Sequence, residues 1–137
     1  MNAKVDTISQ LLLEKTTATG TFTAKDENGN EVFSAKSVLF HRTPRDDFYF
    51  VGSRTSGAVQ EHIALGISKV QKDGQYSAIP DGSPVKWTAQ IKENHSLATS
   101  GKLYVELSDN RRQAQGTYEM TLENGKTLKG EFNIKNY

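Results

Sequence analysis

One short pattern occurs twice in this chain and limits what it can fold into. Gly20-Thr21-Phe22 is followed, six residues after the Phe, by Asn28-Gly29, and Gly116-Thr117-Tyr118 is followed at the same distance by Asn124-Gly125. Laid over each other without a gap, residues 20–32 and 116–128 agree at Gly, Thr, Glu, Asn and Gly, with Phe exchanged for Tyr and Val for Leu. Asn-Gly between alternating stretches is a hairpin signal, because only glycine enters the left-handed region of a tight loop freely. The class that follows is antiparallel β.

Register tests this reading, since residues paired across two strands share a face and a slip by one turns the apolar set outward. A two-residue loop at Asn124-Gly125 sets Leu122 against Thr127, a poor match. A three-residue loop, with Glu123 and Asn124 in a type I turn and Gly125 in the left-handed bulge, sets Met120 against Leu128 and Tyr118 against Gly130. It also sets Gly116 against Phe132, so that each ring covers a bare glycine. The same loop at Glu27-Asn28-Gly29 sets Ala24 against Val32, Phe22 against Ser34 and Lys25 against Glu31.

Composition narrows the rest. With 137 residues the chain fits one domain over 1–137, and a hydrophobic share of 35% suits a sheet with one wet face. A net charge of +1 leaves no long-range field for nucleic acid or an anionic membrane, so no nucleic-acid partner is expected. With no cysteine in the sequence, disulfides, thiolate metal sites and cysteine nucleophiles are excluded together. The start lacks a basic segment leading into a long apolar run. No signal peptide and no membrane span are therefore expected, and the location expected is cytoplasmic.

Along the chain, Asp6 can cap a short helix bearing Ile8, Leu11 and Leu12, so residues 1–16 are expected as a helical segment packing on the sheet end. Phe48 to Val51 is apolar on both faces and reads as a central, covered strand. Ile63, Leu65 and Ile67 alternate with polar or small neighbours, as do Val85, Trp87, Ala89 and Ile91, which Leu103, Val105 and Leu107 should answer across Gly101. Pro80 and Pro84 interrupt the chain, and Asp109-Asn110-Arg111-Arg112 forms a long turn. The expectation is an all-β, antiparallel β-sandwich or closed β-barrel of eight to nine strands with a short N-terminal helix. Lys25, Lys86 and Lys129 would guard edge strands.

Functional side chains are densest at His41, Arg42, Arg45, Asp46 and Asp47, where an arginine fork can grip a carboxylate or sulfate. Gly52-Ser53-Arg54-Thr55-Ser56-Gly57 has the composition of an anion-binding loop without the ending of a P-loop. The strand between these segments spans about 13 Å, which places His41 and Arg54 at opposite rims. His41, His62 and His95 lack the paired spacing of two histidines on one strand, so no metal centre is expected. Ser53, His62 and Asp73, or Glu61 with Glu106, can be assembled on paper, but no spacing selects either set. No catalytic residue and no cofactor are assigned. Among aromatic residues, Tyr104 falls on the polar face of its strand and Tyr76 lies near a turn, where rings can stack on sugars or hold a partner.

The stretch from Gly116 to Ile134, with Gly-Thr-aromatic, a turn and Gly-x-Phe, resembles hairpins of bacterial β-sandwich domains; the resemblance covers a small part of the chain and carries no activity. The reading that results is a non-enzymatic binding or interaction domain that recognises a glycan, small molecule or protein through loops and one sheet face, with His41, Arg42, Arg45, Tyr76 and Tyr104 as ligand-binding candidates. The alternatives are a small barrel holding an apolar ligand inside and a hydrolase or isomerase at the His41 to Asp47 rim.

Overall fold

The computed structural model describes residues 18–42, 47–56, 59–68, 70, 72–80, 87–91 and 94–135. The helix expected within 1–16, Arg45 and the segment around Pro84 lie outside the described residues. Among the described residues ten strands form: β1 (Thr19–Lys25), β2 (Glu31–Ser34), β3 (Ser37–Arg42), β4 (Phe48–Ser56), β5 (Val59–Ile67), β6 (Gly74–Ala78), β7 (Thr88–Ile91), β8 (Asn94–Ser108), β9 (Gln113–Leu122) and β10 (Thr127–Lys135). Every pairing is antiparallel, in the order β2-β1-β10-β9-β8-β7-β5-β4-β3, with β6 attached to β8 off that path. The sheet curls into a half-barrel. Two backbone bonds where β2 passes into β3, Ala35 N–H to the Phe22 carbonyl and Lys36 N–H to the Ser53 carbonyl, both 2.9 Å, tie the curled ends together.

The concave side holds most of the core, because successive side chains alternate between faces, while Leu39, Val51 and Ala64 form a smaller buried cluster on the opposite side of β3, β4 and β5. Phe22, Phe33, Phe50, Tyr118 and Phe132 are the aromatic centre of the main core. Phe132 stacks on Phe22 at 5.4 Å and on Phe50 at 5.1 Å, while Phe33 meets Phe22 edge-on at 6.4 Å. Each such ring contributes roughly 2–3 kcal/mol by leaving water. Trp87 is buried too, its indole N–H donating to the Gly66 carbonyl at 3.0 Å.

The second hairpin has the register its sequence dictates: Met120 faces Leu128, Tyr118 faces Gly130 and Gly116 faces Phe132. Its loop is Glu123-Asn124-Gly125, closed by Leu122 N–H to the Lys126 carbonyl, with Gly125 at φ 87°. The Tyr118 ring crosses Gly130 and donates its hydroxyl to the Thr23 carbonyl on β1 at 2.8 Å. Burial pushes the ionisation of that hydroxyl far above its usual range.

The first hairpin has the expected loop, with Gly29 at φ 82°, and the expected Lys25–Glu31 pair, but not the rest of the expected register. Ala24 faces Phe33 and Thr23 faces Ser34, because the ladder shifts between Ala24 and Lys25 and leaves Val32 as a bulge. The bulge turns Phe33 into the core. It also frees the Val32 carbonyl, which accepts from Arg54 Nη2 at 3.0 Å.

Three other expectations are corrected. Gly52 to Ser56 is not a loop but the second half of β4, paired with β5 through Ser53–His62 and Arg54–Glu61. Its Gly52 is required by close approach, since a Cβ there would strike the Phe22 side chain. The Trp87 to Ile91 strand pairs with Asn94 to Leu97 rather than with Leu103 to Leu107. β8 runs for 15 residues, bends at a register shift between Ala98 and Ser100, and in its second half pairs with β6 and β9. Lys25 and Lys129 face each other on the interior strands β1 and β10, so they guard no edge.

Candidate functional site

Both ligand candidates of the β3 rim that fall inside the described residues are strand positions: His41 pairs with Tyr49 and Arg42 with Phe48. Tyr49 is half-buried against Leu39, Val51 and Ala64, and burial, followed by the nearby Asp47 charge, raises its hydroxyl's pKa.

Tyr76 and Tyr104 do not form one surface. Tyr76 faces Val105 and packs on the core, its hydroxyl donating to the Lys72 carbonyl at 2.6 Å. Tyr104 faces Ser77 on the opposite side of the sheet and is 56% exposed. Cross-strand register surrounds it with polar side chains. Ser77, Tyr104, Thr117, Glu131 and Thr23 form one row across β6, β8, β9, β10 and β1. The row on one side is Gln75, Glu106, Gln115, Asn133 and Thr21, in which Gln75 Nε2 lies 3.4 Å from Glu106 Oε2. On the other side stand Lys102, Glu119, Lys129 and Lys25, with Lys129 Nζ 3.9 Å from Glu119 Oε2. Ile79, 50% exposed, follows β6 at the margin. The result is a broad convex face of hydroxyl, amide and oppositely charged groups around a single open ring.

A second polar group lies farther along the convex side, on β4, β5, β7 and the first part of β8. Ser53, His62, Gln90 and His95 share one cross-strand row, and the next row contains Val51, Ala64, Thr88 and Leu97. The imidazoles of His62 and His95 stand 6.1 Å apart between ring centres, although 33 residues separate them in sequence. His62 is 8% exposed; burial, and next the neighbouring His95, lower its pKa to about 4. Thr88 Oγ1 is buried with no hydrogen-bond partner. Sequence reading missed this pairing because it looked for histidines on one strand, whereas β7 brings the two from either side.

On the concave side Glu61, 2% exposed, accepts from Arg54 Nε at 2.6 Å, and the Arg54 guanidinium lies over the Phe33 ring at 5.2 Å. Glu61 therefore faces away from Glu106, and the pair imagined from sequence does not meet. Asp73 does not join Ser53 and His62 either. Its carboxylate accepts the backbone N–H groups of Asn110 (3.0 Å) and Arg111 (2.6 Å). Those bonds brace three successive left-handed residues, Asp109, Asn110 and Arg111, at φ 55°, 58° and 60°. Among the described residues no group of three or more His, Asp or Glu is placed to hold a metal ion, and no helix is long and apolar enough to cross a membrane.

No family model matches the chain, and no curated protein and no solved structure matches it.

Proposed function

We propose that this is a non-enzymatic binding domain whose convex face around Tyr104 recognises a neutral glycan. The observation that carries the reading is the 56% exposed Tyr104 ring set among rows of hydroxyl, amide and paired charged side chains. A sugar offers an apolar face to stack on such a ring and hydroxyls that exchange hydrogen bonds with the flanking groups. Lys102 and Lys129 alternate with Glu106, Glu119 and Glu131, so the face has no single-sign field to select a polyanion. Rigid strands hold these groups in place, which keeps the ordering cost of binding low.

The interior-ligand alternative has less behind it. Rings from opposite parts of the curl touch, as Phe50 on β4 and Phe132 on β10 do at 5.1 Å, which supports a filled, sandwich-like interior over an apolar cavity. The test is a glycan array followed by NMR titration of the best neutral hit. Shifts should cluster on β6, β8 and β9, and Tyr104→Ala should remove binding while Tyr76→Phe keeps it. Binding that survives Tyr104→Ala, or shifts confined to concave residues, overturns the proposal.

A further inference from the structure

The geometry points to a divalent metal site on the convex face, with His62 and His95 as its two imidazole ligands; this goes beyond the glycan reading and does not depend on it. Imidazole suits copper, nickel and zinc, and the affinity order for such ligands puts Cu2+ first. A metal bonded to a ring nitrogen at about 2.0–2.1 Å lies roughly 3.2 Å from that ring's centre, so two rings sharing one ion have centres at most about 6.4 Å apart. The observed 6.1 Å falls inside that limit. With the bonding nitrogens between the rings it corresponds to a nitrogen–metal–nitrogen angle of about 145°, midway between the tetrahedral arrangement (centres roughly 5.2 Å apart) and the trans one (about 6.4 Å).

Two further features support the assignment. No described residue gives a hydrogen bond to either imidazole, and the Thr88 hydroxyl in the adjacent row is buried without a partner, as expected of polar groups built to share a water or an ion. The rings are also carried by paired strands, β5 and β8 on either side of β7, so their separation is fixed by sheet geometry. Gln90, in the row between them, offers an amide oxygen, and water completes the coordination.

The test uses the full chain freed of metal with a chelator, then titrated with Cu2+, Ni2+ and Zn2+ alone. One equivalent of Cu2+ should bind, with an electron paramagnetic resonance spectrum split by two imidazole nitrogens, and Zn2+ should bind more weakly. His95→Gln should weaken Cu2+ binding by at least about tenfold and leave the splitting of at most one nitrogen. That variant is the primary one because His95 is exposed, and its unfolding midpoint without metal should match the parent's. His62→Gln should have the same effect on the spectrum, and His41→Gln should have none. Absence of a stoichiometric Cu2+ site, a site that persists in His95→Gln, or one removed by His41→Gln overturns the assignment.

Discussion

Gly130→Ala adds one methyl group on β10 where β1 and the Tyr118 ring from β9 both approach closely. Gly130 has no positive φ, so the backbone suits any residue and only space is at issue. The new Cβ would run into the Thr23 carbonyl on one side and the Tyr118 ring on the other. Forcing a methyl group into a filled site costs about 1–3 kcal/mol. Displacing the ring from the Thr23 carbonyl forfeits a buried hydrogen bond worth about 1 kcal/mol, and the lower backbone entropy of alanine returns roughly 0.5–1 kcal/mol. The net is a loss of about 1–3.5 kcal/mol, or a melting point lower by about 4–12 °C for a chain of this size. Urea unfolding followed by the fluorescence of Trp87, the single Trp in the sequence, measures it. Tyr118→Phe alone should cost about 1 kcal/mol. The double variant should lose about 1 kcal/mol less than the sum of the two, since the same hydrogen bond is removed in both. A loss below about 0.5 kcal/mol for Gly130→Ala, or strict additivity, would refute the idea that the ring and the glycine share one space.

Gly125→Ala is the contrasting case: its Cβ would meet nothing, but φ is 87°, so the cost should be the left-handed penalty of about 1–2 kcal/mol, and Gly125→Asn should recover part of it in the same assay. Arg54→Met removes the guanidinium that lies 2.6 Å from the buried Glu61 carboxylate. The expected loss is about 3 kcal/mol, the low end for such a pair because the Arg54 side chain is 27% exposed; Glu61→Gln, which still accepts the N–H, should lose less, and equal losses would count against the ion pair. His62 has a folded pKa of about 4 against 6.5, so its contribution is complete above pH 6.5 and falls away as pH drops towards 4. Urea midpoints with chelator present should show a loss of about 3 kcal/mol across that window that is absent in His62→Gln, and parallel pH profiles would contradict it.

The two hairpins show what could be read from sequence and what could not. In β9–β10 the local pattern settles everything: the Asn124-Gly125 loop, the ring over Gly130 and the ring over Gly116 all agree with one register. In β1–β2 the loop was legible but the bulge at Val32 was not, because its cause is remote. Arg54, from β4, takes the freed carbonyl and covers Phe33, and no residue of the hairpin announces that partner. The long β8 misled in a similar way, since periodicity shows that a strand is present but not that it changes partners at a bend. Among the site candidates, Tyr104 was legible as the odd ring on a polar face. The distance between Tyr76 and Tyr104 in sequence hid that they lie on opposite faces, and the meeting of His62 with His95 needed the strand order.

The pairing of β1 with β10 means that the first strand described and the last lie side by side, Thr19 against Lys135. During synthesis Phe22 is therefore made 110 positions ahead of Phe132, the ring it stacks on. Until the last strand arrives the nascent ribbon has a bare flank, open to any stray strand nearby. Loss of β10 would turn that transient hazard into a permanent one.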